Sequence, residues 1–134
     1  MNILIVDDDP IVRRLLPAFC TTISKECTSL TAQNGEEALK ILASEQIDLI
    51  LTDLEMPVMD GCELVSRVKA QYQDIQIIVM TGLKCDEADK RLRSVGISQY
   101  IEKPFTAQDL GRGIQSAFKK EYDNPIFEGT SCSL

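Results

Sequence analysis

The apolar positions of the chain alternate between two spacings. Five short segments are continuous or near-continuous apolar runs: residues 2–6 (Asn-Ile-Leu-Ile-Val), 28–32 (Thr-Ser-Leu-Thr-Ala), 48–52 around Leu49-Ile50-Leu51, 75–80 (Ile-Gln-Ile-Ile-Val-Met) and 98–102. Such runs predict strands, and those without polar alternation predict strands buried on both faces. Residues 28–32 are only weakly apolar and read as an edge strand.

Between these runs the spacing turns helical. Asp9 reads as an N-cap with Pro10 at the first helical position, and Ile11, Leu15, Ala18, Phe19 and Thr22 as the face of that helix. Pro17 removes the bond to the Arg13 carbonyl, which predicts a kinked or split helix. Asn34-Gly35-Glu36-Glu37 opens a second helix with Ala38, Leu39, Ile41 and Leu42 as its apolar side. Asp60 followed by Glu63 has the logic of a capping box, and Gly61, Leu64, Val65 and Val68 share one face of the third helix. The fourth, over residues 84–95, is mostly charged, with a narrow stripe of Ala88, Leu92 and Val95 and a closing Gly96. The fifth runs from Thr106, with Asp109 at its third position, to about Tyr122, along Leu110, Ile114, Ala117 and Phe118. Gly111 and Gly113 inside it each cost about 1 kcal/mol relative to Ala.

Five strands alternating with five helices predict an α/β fold: a flavodoxin-like doubly wound five-stranded parallel sheet, order 2-1-3-4-5, with helices on both faces. The domain is expected over residues 1–122, and residues 123–134, which show no period, as a poorly ordered C-terminal tail or the start of a linker. A chain of 134 residues suits one such domain.

Composition removes several functions. No apolar stretch approaches a membrane span, and the N-terminus has no basic region before it meets Asp7, so neither a transmembrane helix nor a signal peptide is expected. A net charge of -7 opposes nucleic-acid binding, which needs clustered Lys and Arg. Cys20, Cys27, Cys62, Cys85 and Cys132 are odd in number and form no C-x-x-C pair, which argues for reduced thiols in the cytoplasm rather than disulfides or zinc. Cys20 and Cys62 fall in apolar helical patterns and read as core residues. Histidine is absent, so any chemistry runs on carboxylates, hydroxyls, lysine and a bound cation.

The topology brings such groups together. In the expected order, Asp7 and Asp8 end strand 1 and Asp53 ends strand 3, on either side of the switch crevice where open α/β sheets bind ligands. Three like charges there repel, and a divalent cation relieves them. Hard oxygen ligands with room for water and phosphate suit Mg2+, with Mn2+ as a substitute. Thr81 ends strand 4 and Lys103 ends strand 5. With the metal, they can hold the three peripheral oxygens of a phosphoryl group, leaving Asp53 as the attacking nucleophile. Singly, each has a plainer reading: Asp53 and Thr81 as turn residues, Asp9 as a cap only, Lys103 as a surface cation, Tyr100 as packing. The coincidence of four strand ends on one edge favours the joint reading.

Residues 2–121 resemble the receiver domain of two-component response regulators. The residues that carry the resemblance are Ile3-Leu4-Ile5-Val6-Asp7-Asp8-Asp9, the run from Asp53-Leu54-Glu55-Met56-Pro57 through Asp60-Gly61, Met80-Thr81-Gly82 and Lys103-Pro104-Phe105. The resemblance implies roles: Asp53 as phosphoacceptor, Asp7 and Asp8 as the Mg2+-binding pair, and the Glu55 backbone carbonyl as a further metal ligand. Thr81 and Tyr100 would be the coupled switch residues, Lys103 the phosphoryl-contacting lysine, and Lys103–Pro104 a cis peptide. It also implies a histidine kinase or histidine phosphotransfer protein as phosphodonor, and a downstream protein or missing output domain as target. A phosphorylation-dependent homodimer is a further option. On this resemblance the domain is not an enzyme but a phosphoacceptor that assists its own phosphorylation and dephosphorylation. Pro17 in the first helix and Gly111 and Gly113 in the last depart from the family's pattern. Two other classes compete. An aspartyl-phosphate phosphohydrolase of haloacid-dehalogenase type would use the position of Glu55 as acid/base, but needs cap elements for which the chain leaves little room. A flavin binder would need a Ser/Thr/Gly-rich loop where Asp7-Asp8-Asp9 stands.

Overall fold

The computed structural model describes residues 1–83, 85–97 and 99–118, and of Cys85 the backbone alone. The expected end of the last helix at Tyr122 and the tail over 123–134 lie outside the described residues. The elements run β1 (Asn2–Val6), α1 (Pro10–Ile23), β2 (Thr28–Ala32), α2 (Gly35–Ser44), β3 (Leu49–Asp53), α3 (Gly61–Gln71), β4 (Gln76–Thr81), α4 (Cys85–Arg93), β5 (Tyr100–Glu102) and α5 (Ala107–Phe118). All strand pairs are parallel and the order is β2-β1-β3-β4-β5. This is the expected flavodoxin-like arrangement. β3 and β4 each begin and end one residue later than the apolar runs suggest, so Asp53 and Thr81 are the last residues of their strands.

The central strands alternate their side chains between two cores, as a period of two requires. Ile3, Ile5, Leu49, Leu51, Ile78 and Met80 face Leu16 and Cys20 of α1 and Leu110 and Ile114 of α5. Leu4, Val6 and Ile50 face Ala38 and Leu42 of α2 and Leu64 and Val68 of α3. Val79 and Tyr100 meet Ala88 and Leu92 of α4.

α1 corrects one expectation. Its buried side is Leu16 and Cys20, with Val12, Phe19 and Ile23 packed beside them, whereas Ile11 and Leu15 are 65% and 52% exposed and Ala18 and Thr22 face solvent. Two apolar stripes overlap on this helix, and the one spaced i, i+4, i+7, i+8, i+11 from Val12 is the fuller. Nor does Pro17 split the helix, which is continuous from Pro10 to Ile23. Packing of its inner side against α5 and β2 offsets the one lost hydrogen bond.

The caps are those expected. Asp9 accepts from the Ile11 N–H, Asn34 from Glu37 and Asp60 from Glu63, while Thr106 and Asp109 cap one another reciprocally, each backbone N–H donating to the other's side chain at 3.0 Å. Gly96 has φ +77° and closes α4. Its N–H donates to Arg93 O and the Ile97 N–H to Leu92 O, the paired bonds of a Schellman motif.

Two glycines predict opposite responses to the same change. A Cβ at Gly61 would collide with the Asp53 carbonyl and lie 2.8 Å from the Leu54 Cα, because the N-terminus of α3 packs directly on the end of β3. A Cβ at Gly111 would meet only Ile23 on α1, at an ordinary 3.8 Å. Gly111→Ala is therefore expected to stabilise by about 1 kcal/mol, and Gly61→Ala to destabilise by about 1–3 kcal/mol. Urea midpoints at unchanged m-value measure both; a shift of the same sign in the two variants contradicts this packing.

Candidate functional site

β1 and β3 are hydrogen-bonded neighbours with Val6 opposite Thr52, so Asp7 and Asp53 emerge side by side at the carboxyl edge of the sheet. Asp7 is fully buried, Asp53 is 8% exposed and Asp8 is exposed. One carboxylate oxygen from each of the three lies within 4.8 Å of the others. Asp7 is held on every side. Its N–H donates to Ala32 O at 3.1 Å, its Oδ1 accepts from the Asp9 N–H at 3.0 Å, and its Oδ2 accepts from Lys103 Nζ at 2.9 Å. Its carbonyl accepts from Arg13 at 2.7 Å.

Lys103 Nζ also lies 3.6 Å from Asp53 Oδ1. Its backbone N–H donates to Thr81 O at 2.7 Å, which extends the β4–β5 ladder up to the lysine, and Lys103–Pro104 is cis as expected. Phe105, next along, packs edge-on against Phe19 of α1, tying this loop to the helix.

The electrostatics follow from burial and crowding. The Asp53 carboxyl is pushed up to about 6, by burial first and then by Asp7 and Asp8, against the opposing pull of Lys103 and of the Glu55 backbone N–H. Burial works against the Lys103 ammonium, but Asp7 and Asp53 outweigh it and hold its pKa above the ordinary lysine range. One lysine does not neutralise three carboxylates. A divalent cation with hard oxygen preference fits this donor set, with Asp7, Asp8 and Asp53 to hold it.

Thr81 is fully buried, and its hydroxyl oxygen accepts from the Leu83 N–H at 2.9 Å. Tyr100 lies inward, packed with Leu54, Val65, Ala88 and Leu92, and its hydroxyl donates to Asp89 Oδ1 on α4 at 3.1 Å. Burial and that acceptor push its phenol up to about 12. Glu55 is exposed just past the end of β3. Asp53, Asp7, Asp8, Thr81 and Lys103 thus gather on one edge, with Glu55 at its rim and Tyr100 opposite Val79, two residues below Thr81. Three participants escaped the sequence pattern. Residue spacing does not single out Arg13 or Asp89, and Asp60 reads only as a cap, although its second carboxylate oxygen accepts from Arg91 of α4 at 3.0 Å. Nothing in residue spacing identifies pairs that meet only across elements.

The response regulator receiver domain family matches residues 3–115. The chain belongs to that family. The receiver domain is 31% identical over 125 residues to the probable C4-dicarboxylate response regulator DctR of Bacillus subtilis, covering 93% of this chain and 54% of that protein. It is 36% identical over 106 residues to the sensor histidine kinase RcsC of Escherichia coli, covering 79% of this chain and 11% of the relative. Among solved structures, the chemotaxis response regulator CheY4 of Vibrio cholerae superposes with a TM-score of 0.78 at 28% identity, covering 87% of the receiver domain and 98% of that chain. The chain spans about half the length of DctR. No finding supports the phosphohydrolase alternative. No helix of the described residues is long and apolar enough to cross a membrane.

The raised Asp53 carboxyl has a consequence for stability. The folded receiver domain keeps this proton up to about pH 6, whereas an unfolded Asp releases it near 3.8. The folded state is therefore favoured at low pH, and this advantage is lost as pH rises through the folded value. In metal-free buffer at pH 7.5, Asp53→Asn is expected to be more stable than the parent by about 3 kcal/mol, the gap closing towards pH 4. Denaturation midpoints across that range measure it; a pH-independent gap contradicts the crowding argument.

Proposed function

We propose that the domain accepts a phosphoryl group on Asp53 from a phosphohistidine of a histidine kinase or histidine phosphotransfer protein. The observation that carries this reading is the convergence of Asp7, Asp8 and Asp53 within 4.8 Å, with Lys103 Nζ at 2.9 Å from Asp7 and 3.6 Å from Asp53. The three carboxylates and the Glu55 backbone carbonyl would hold Mg2+. When bound, the ion neutralises charge on the phosphoryl oxygens. An Asp53 oxygen attacks phosphorus as the bond to the partner's imidazole nitrogen breaks, and that nitrogen keeps the electron pair and takes a proton. The Lys103 ammonium pairs with one phosphoryl oxygen, and the Thr81 hydroxyl donates its proton to another. Because the chain has no histidine, the donor imidazole comes from the partner. The domain is a phosphoacceptor that assists its own phosphorylation and dephosphorylation, acting in the cytoplasm, rather than a turnover enzyme.

Ile11 and Leu15 lie one turn apart on the outer side of α1, next to the β1–α1 junction, and are large apolar side chains left exposed. They form the apolar part of the docking face for the phosphodonor. Engagement of Thr81 is transmitted to Tyr100 and, through Asp89, to α4, so the surface of α4, β5 and α5 carries the output to a downstream protein, a linked domain or a second copy.

Incubation with Mg2+ and a small phosphodonor is expected to add one base-labile phosphoryl group by intact mass, lost in Asp53→Asn and in the absence of divalent metal. No gain in the parent overturns the proposal. Glu55 places an extra carboxylate at the rim of the site, where it bears on attacking water. Glu55→Ala is expected to change the rate of autodephosphorylation several-fold; equal rates in variant and parent remove that role.

A further inference from the structure

Asp7 contributes more than a carboxylate. It is the first residue after β1, where the chain turns towards α1, and its peptide link to Asp8 sets where the exposed Asp8 side chain can reach. Three of its four anchors come from the sheet edge or its own turn: Ala32 O, the Asp9 N–H and Lys103 Nζ. The fourth comes from one turn into α1, where Arg13 Nη1 donates to the Asp7 carbonyl at 2.7 Å, part-buried. Arg13 also donates its backbone N–H to Asp9 O, so it closes the first turn of the helix and reaches back to the strand end at once. Four residues on, Pro17 offers no N–H to the Arg13 carbonyl. This part of α1 is therefore fixed to the site by a side chain where the helix ladder gives less support.

We propose that Arg13 is a positioning residue for the divalent cation site: by holding the Asp7 carbonyl it fixes the Asp7–Asp8 peptide and so brings Asp8 to the point shared with Asp7 and Asp53. The proposal rests on the reading that these carboxylates hold a divalent cation. Two effects of Arg13 oppose each other. Its charge repels a dication, whereas its hydrogen bond pre-organises two of the ligands. The bond is made to the peptide group that links the two ligand residues, and outer contacts that orient ligands typically change metal affinity by about 10–100-fold. Pre-organisation therefore wins here.

The test is titration of the whole chain with Mn2+ alone, followed by the paramagnetic resonance signal of the free ion, with circular dichroism and urea midpoints to check folding. Arg13→Met and Arg13→Gln are expected to weaken Mn2+ binding about tenfold. The first removes the donor and the second draws it back by shortening the side chain. Arg13→Lys, which keeps a donor and the charge, is expected to stay within about threefold of the parent. Unchanged or tighter binding in Met and Gln variants that still fold overturns the proposal, since that is the outcome of charge repulsion alone. A Lys variant weakened about tenfold relative to the parent overturns it as well, and this arm stands even if the Met variant does not fold. A parent that leaves the Mn2+ signal unattenuated overturns the cation-site reading itself. That outcome is distinct from a parent that binds while the Arg13 variants bind equally.

Discussion

Repulsion among three carboxylates at the edge of a buried sheet is the constraint around which the molecule is arranged. Asp7 and Asp53 are brought together by the pairing of β1 with β3, two strands with no polar side chain below the site apart from Asn2 and Thr52. That apolar support fixes the two acids where water cannot screen them, and the raised Asp53 carboxyl is the result. Lys103 answers part of the charge from just past β5, the far side of the sheet, and the Phe105–Phe19 contact ties the same loop to α1. An arrangement that keeps negative charge in excess suits a cation and then a phosphoryl group. Stability is given up at the candidate site.

The residues that form the site were legible in the sequence because the fold sorts them by strand end. A continuous apolar run that stops at a carboxylate, hydroxyl or lysine marks both the strand and the edge to which its last residue belongs. Helix caps were legible for a similar reason: Asp9, Asn34, Asp60 and Thr106 act within three residues of themselves. The side of α1 that is buried was not, because Ile11 and Leu15 are apolar yet face outward. Hydrophobicity there marks an exposed stripe, not a core. Nor could spacing show that Gly61 is required by the backbone of Asp53 and Leu54, or that Arg13, Asp89 and Arg91 reach across to neighbouring elements. Those contacts exist only once the sheet has set the distances.

α4 is bound unevenly. Near its C-terminal end Arg91 pairs with Asp60, the Arg91 carbonyl accepts from the Cys62 thiol, and Lys69 Nζ donates to the carbonyls of Val95 and Gly96, so α3 grips it at three points. At its middle, Asp89 accepts from the Tyr100 hydroxyl. Were α4 to tilt about the end that α3 grips, it would act as a lever. Nine residues at about 1.5 Å each give an arm of about 13 Å, and a tilt of about 10° about the pinned end carries the other by about 2 Å, the scale of helix shifts that remodel interfaces. The other end is the one joined to Thr81 through the β4–α4 connection. A displacement too small to disturb the core can thus be read as a change of shape on the outer face of the protein.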